Sequence, residues 1–235
     1  MKYINDDVGK HDADSAEDAV DSTAYIEQQL AEIEQQMTQL PAGFDAGEKA
    51  ALQLDAAAAL VGLSRGEEAW DHARQALDAF LETGAWEQAA HACDVMFNAD
   101  QPDSLAALGQ GIWLAVTYPV DPELSVALLQ HIVDETPDDA DGAAVAAAVA
   151  CYIVDMRAEG KQSDDLVFFT STLLSTVARR HQDIESQEQF DFWFKKLELD
   201  DPAKFLPRLR NVVDVLVQDN WWFDREALQT KLPVH

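Results

Sequence analysis

The chain alternates between apolar stripes at helical spacing and short polar breaks. The first stripe lies in DSTAYIEQQLAEIEQQMTQLP, where Ile26, Leu30, Ile33, Met37 and Leu40 are spaced 4, 3, 4 and 3 apart. Such spacing puts them on one face of an amphipathic helix, which Pro41 ends. A coiled-coil seam has the same spacing, but the run is short for one. From there one grammar recurs: a capping residue, a helix, a break. Asp45 with Glu48, and Ser64 with Glu67, have the spacing of capping boxes. The second opens a helix carrying Trp70, Ala73, Leu77 and Phe80, and Gly84 stands where a helix C-terminal glycine belongs. Further helices are predicted from Trp86 to Phe97, from Asp103 through Leu114, and from Asp121-Pro122 to Glu135. Asp141 is expected to open the next, and Asp164 or Asp165 the one after. Ser186 with Gln189 starts FDFWFKKL, and Asp201-Pro202 starts a helix ending near Asn220. In DNWWFDREAL, Asp224 reads as the N-cap of a last short helix. Phe223 before it and Leu228 after it then form a hydrophobic staple.

No segment alternates at period two for long enough to be a strand. Helix starts recur at roughly 20-residue intervals. The predicted fold is therefore all-α, a stack of antiparallel helix hairpins forming an α-solenoid, with a closed helical bundle as the alternative.

Two segments bear a family resemblance. GEEAWDHARQALDAF resembles the second helix of a tetratricopeptide repeat, with Ala69 and Ala76 at the small positions followed by Leu77 and Phe80. SLAALGQGIWLAV resembles a first helix, with Leu108-Gly109 and then Ile112, and Pro137 follows the next helix as prolines do between such repeats. The resemblance spans about residues 45–160. It departs from the family at Ala56-Ala57, where Leu-Gly is expected, and in units of about 40 residues rather than roughly 34. It implies a TPR-like scaffold presenting a groove to a peptide or protein. No binding residue carries over, and an Ala-rich helix pair gives the same pattern by packing alone.

Charge changes the picture. The 235 residues hold 44 Asp+Glu against 16 Lys+Arg, a formal charge of -28. With 48% apolar residues and six Trp, the chain has material for a core and is not an acidic disordered polymer. Residues 1–160 hold 31 acidic and 6 basic side chains, and residues 161–235 hold 13 and 10. Three regions follow: an acidic tail over 1–20, expected to be mobile, an acidic helical-repeat region over 21–160, and a near-neutral, aromatic-rich helical region over 161–235. The last two are expected to pack as one continuous domain. Direct nucleic-acid binding is disfavoured, because phosphate contacts need Lys and Arg. The acidity fits solubility or a salty cytoplasm, attraction of a basic partner, or mimicry of nucleic-acid charge.

Candidate chemistry is sparse. His91 and Cys93 point about 200° apart on a helix and cannot chelate one metal together. TPDDADGA would need Pro137 at the first position of a calcium loop, where it has no side-chain oxygen. No phosphate-binding loop, dinucleotide fingerprint, nucleophile elbow or zinc-protease motif is present. No catalytic, cofactor-binding or metal-binding residue is assigned. No apolar run reaches the roughly 18–20 residues of a membrane span, and no apolar signal core opens the chain. Two cysteines make no disulfide framework, so a cytoplasmic protein is expected.

The functional expectation is a non-catalytic protein-interaction module, an adaptor or dedicated chaperone with a basic protein or peptide client. An acidic nucleic-acid mimic inhibiting a DNA-binding protein, and an all-helical enzyme or small-ligand carrier, are the alternatives. Candidate partner contacts are the aromatics Trp221, Trp222 and Phe192 and the bases Arg179, Arg180, Lys195 and Lys196. Phe190, Trp193 and Phe194 share one helix face as core, which leaves Phe192 pointing elsewhere. Trp221 and Trp222 fall at the end of the previous helix or in the bend, where one is expected to anchor the last hairpin and the other is the better candidate for a partner contact.

Overall fold

The computed structural model describes residues 2–3, 16–41 and 43–230, with side chains from residue 23 within the first helix. The greater part of the expected acidic tail, residues 4–15, lies outside the described residues. Among the described residues there are eleven helices and no strand. They are α1 (Ala16–Thr38), α2 (Ala46–Gly62), α3 (Gly66–Thr83), α4 (Trp86–Asn98), α5 (Ser104–Thr117), α6 (Pro122–Glu135), α7 (Asp141–Arg157), α8 (Gly160–Gln182), α9 (Gln187–Lys196), α10 (Pro202–Val217) and α11 (Arg225–Gln229). The all-α expectation holds. The chain forms two compact units that divide between Leu114 and Ala115, so the charge step near residue 160 falls inside the second.

In the first unit, α1 packs on α2, α2 on α3, α3 on α4, and α2 also reaches α4. This pairing of neighbours, and of every second helix, is compatible with helical repeats. Small side chains permit it. Ala56 and Ala57 of α2 and Ala69, Ala73 and Ala76 of α3 are fully buried, together with Leu77. A leucine at these alanines would push the helices apart. Gln53 of α2 donates to Gln75 Oε1 of α3 at 2.9 Å and ties the pair at its edge. The α1 stripe is seated through Leu30, which joins Ala56, Leu60, Ala69 and Ala99 in one cluster, with Ile33 and Met37 packed against it.

The second unit is built round α7. Its run Ala143–Ala150 is buried on every side, because α6, α8 and α10 all pack on it. A helix enclosed on three sides carries no polar face, and alanine lets all three neighbours approach. Residues 2–3 belong to this unit, where the Tyr3 N–H donates to Glu123 Oε1 at 2.6 Å.

Helix starts mostly follow the sequence reading. The carboxylates of Asp45, Asp121, Asp201 and Asp224 accept N-terminal amide N–H groups, and Ser186 with Gln189 forms a reciprocal capping box. Three expectations are corrected. Ser64 is not an N-cap: its φ is 57°, and it closes α2 instead. Its N–H bonds Val61 O at 2.9 Å and the Arg65 N–H bonds Leu60 O at 2.9 Å, the paired reversal usually built on glycine. Asp141 is the first residue of α7, whose cap is Ala140, and its carboxylate turns to other helices. α8 begins at Gly160, not at Asp164 or Asp165, because Gly160 takes φ 60° and turns the chain early.

Helix ends at positive φ without glycine recur at Asp100, Asp183, Glu198 and Gln218. Each holds an L side chain where glycine is at less strain. Ser64→Gly is therefore expected to stabilise the fold by about 0.5–1 kcal/mol, read as a higher urea midpoint at unchanged slope.

Candidate interaction surfaces

The basic residues of the second unit divide into two sets. One set holds the fold together. Arg157, at the end of α7, donates to Ala115 O at 2.7 Å, Val116 O at 3.3 Å and Val120 O at 3.4 Å. Arg180 of α8 donates to Val133 O at 2.5 Å and Thr136 O at 3.4 Å, with Nε facing Asp138 at 3.8 Å as an ion pair rather than a hydrogen bond. Arg208 of α10 donates to Leu197 O at 2.5 Å. Each guanidinium thus satisfies carbonyls at the C-terminal end of an earlier helix (α5, α6 and α9), where orphan acceptors and the negative dipole end favour a cation. Burial lowers the pKa of Arg157, yet a guanidinium starts high enough to stay charged. Arg180, a candidate partner contact from sequence, is held in this work.

Arg208 also takes part in a chain of polar contacts across four helices. The Trp193 indole N–H of α9 donates to His181 Nδ1 of α8 at 3.2 Å. An indole nitrogen can only donate, so Nδ1 accepts and the ring proton sits on Nε2. Nε2 then donates to Asp141 Oδ1 of α7 at 3.2 Å, and Arg208 of α10 donates to Asp141 Oδ2 at 3.0 Å. Trp193 is fully buried, and Phe190 rests against it with ring centroids 5.7 Å apart. Asp141 is thereby a junction between helices.

The other basic set faces outward. Arg179, Lys195 and Lys196 are exposed. Lys195 and Lys196 flank Phe192 on the outer face of α9, and Phe192 is 71% exposed. Phe168 of α8 is 75% exposed, and Met156 and Val215 stand exposed on α7 and α10. Sequence spacing separated Phe192 from the core face of α9, but the solvent-facing position of Phe168 beside half-buried Phe169 needed the packed fold.

At the C-terminal bend, Trp221 and Trp222 are both half-buried, so exposure does not separate them. Their contacts do. The Arg225 guanidinium lies over the Trp221 ring at 4.0 Å and donates to Asp214 Oδ1 at 2.9 Å, tying α11 to α10. Phe223 meets Trp221 edge-on at 5.8 Å, and Tyr118 O–H donates to Leu228 O at 2.7 Å. Trp222 Nε1 instead donates to its near neighbour Asn220 at 3.2 Å. Trp221 thus takes part in the junction of α10 with α11.

Cys93 is fully buried, and burial pushes both its thiol and that of Cys151 upward in pKa, away from the reactive thiolate. Among the described residues no three His, Cys, Asp or Glu side chains converge as a metal site, and no helix is long and apolar enough to cross a membrane. No protein-family model, curated protein or solved structure significantly matches the chain.

Proposed function

We propose that the protein is a non-catalytic interaction module, a scaffold of tetratricopeptide-like helix hairpins that binds a basic protein client. One observation carries this reading. Four successive helices of the second unit, α7 to α10, each hold a large apolar side chain in solvent: Met156, Phe168, Phe192 and Val215. Single exposed apolar residues are ordinary, but two phenylalanines above 70% exposure gain most from being covered. Aromatic side chains of this kind anchor protein interfaces. The charge of -28 favours a basic client and speeds its approach.

The test is capture of partners from the native host by the full chain and by a Phe168→Ser/Phe192→Ser variant. A partner held by the parent chain and lost about tenfold or more from the variant is the expected result. Equal retention by both, with circular dichroism showing both folded, would remove the exposed phenylalanines as the contact surface, and capture of no partner by the parent chain would remove the reading.

A further inference from the structure

The first unit carries a groove between α1 and α2 with a volume of about 510 Å³. Along α1 it is lined by Ile26, Gln29, Glu32, Ile33 and Gln36, and along α2 by Asp55, Ala58, Ala59 and Gly62. Ile26 and Ile33 are half-buried, and Ile33 also packs against the core cluster around Leu30. Along α2 the lining is almost bare of side chain. A Cβ on Gly62 would lie 3.3 Å from Ile26 Cδ1, so this glycine lets Ile26 lie against the α2 backbone.

The shape and the charge specify an occupant. A trough between two packed helices, with small residues along one wall and isoleucines along the other, accepts a third helix through ridge-into-groove packing. From Ile26 to Gln36 it runs about 15 Å, or roughly three turns. Its charged lining residues, Glu32 and Asp55, are both acidic, and no Lys or Arg occurs between Lys10 and Lys49 in the sequence. We infer that this groove docks an amphipathic helix of a basic partner, with an apolar stripe on Ile26, Ile33 and Ala58 and with Lys or Arg flanks beside Glu32 and Asp55. A second copy of α1 brings like charges to the same place and is disfavoured. The inference rests on the reading of the protein as a protein-binding module, but it uses a surface separate from Phe168 and Phe192.

The probe is a fluorescent peptide of about 15 residues, with leucine at i, i+3, i+4 and i+7 and lysine on the flanks. Two controls accompany it: the same residues in scrambled order, and glutamate in place of lysine. Titrated into the full chain, the basic helical peptide is expected to bind and gain helicity, with an affinity that falls as salt rises. Neither control is expected to bind comparably. Glu32→Lys/Asp55→Lys is expected to weaken binding about tenfold or more, and Ala58→Phe to block the trough, with melting temperatures unchanged at these exposed positions. Equal binding of the scrambled peptide, or unchanged affinity in both variants, would overturn the inference. So would self-association of the chain that Ala58→Phe abolishes, since that makes a second copy the occupant. If a host partner is captured that needs Phe168 and Phe192 but ignores the groove variants, the groove falls and the interaction reading stands. If the peptide binds the groove and a captured host partner needs the groove but ignores Phe168 and Phe192, the groove stands and the exposed phenylalanines lose their part in the reading.

Discussion

Replacing Gly66 with alanine is expected to destabilise the protein by about 2–3 kcal/mol. Helix propensity alone predicts the opposite sign, since alanine is favoured over glycine by about 1 kcal/mol inside a helix. The close approach of α3 to the loop after α4 decides against propensity. A Cβ on Gly66 would lie 2.1 Å from Ala99 O and 2.8 Å from Gln101 Nε2. The first is backbone and cannot swing aside. Ala99 is itself buried, and Gln101 donates to the same carbonyl at 2.9 Å, so the loop is fixed. Gly142→Ala is the matched control. There the nearest atoms, Thr136 Cγ2 and Val212 Cγ2, are both at 3.8 Å, ordinary contact distance. Urea unfolding should therefore show Gly142→Ala at or above the parent midpoint and Gly66→Ala well below it. A Gly66→Ala protein as stable as the parent would mean that α3 does not approach Ala99 this closely.

The second large effect is expected at His181. In His181→Ala the Trp193 indole N–H loses its acceptor in a fully buried site, and the missing ring leaves a void between α8 and α9. The combined loss is expected to be about 3 kcal/mol, from an unsatisfied donor and a cavity together. Trp193→Phe removes the donor and keeps an aromatic ring. If the two residues act through their hydrogen bond, the double variant His181→Ala/Trp193→Phe should be less destabilised than the sum of the singles, by about 1 kcal/mol. Strict additivity in urea unfolding would show that the contact contributes nothing beyond packing. Asp141→Asn tests the other end of the chain. Its carboxylate is more than half exposed, so a smaller loss is expected there.

These positions show where sequence was informative. Asp45, Asp121, Ser186, Asp201 and Asp224 could be read as helix starts because each bonds an amide two or three residues away. The inward face of α9 was legible for the same reason, since Phe190, Trp193 and Phe194 are set by local spacing, and Trp193 is fully buried with the two phenylalanines half-buried. Asp141 looked like another cap, but its partners His181 and Arg208 lie 40 and 67 positions further on. Gly66 carried no signal, because the carbonyl that forbids a side chain belongs to Ala99. Ser64 and Gln218 end helices without the expected glycine, and nothing local distinguishes them from other polar residues. The α1–α2 groove was equally hidden. The stripe on α1 was plain, but the trough exists only where Ala58, Ala59 and Gly62 of another helix come beside it.

The inward-turned arginines have a consequence for how the molecule looks to its surroundings. Arg157 spends its positive charge on carbonyl oxygens at a helix end, and Arg180 and Arg208 divide theirs between such carbonyls and the carboxylates of Asp138 and Asp141, while the 44 carboxylates far outnumber the 16 Lys and Arg. Neutrality must then come from outside, from a loose atmosphere of small cations around the folded chain. A basic macromolecule arriving at such a surface displaces those ions into bulk solvent. Part of the drive for association is then the entropy of released salt, and it belongs to the whole acidic surface rather than to any one contact.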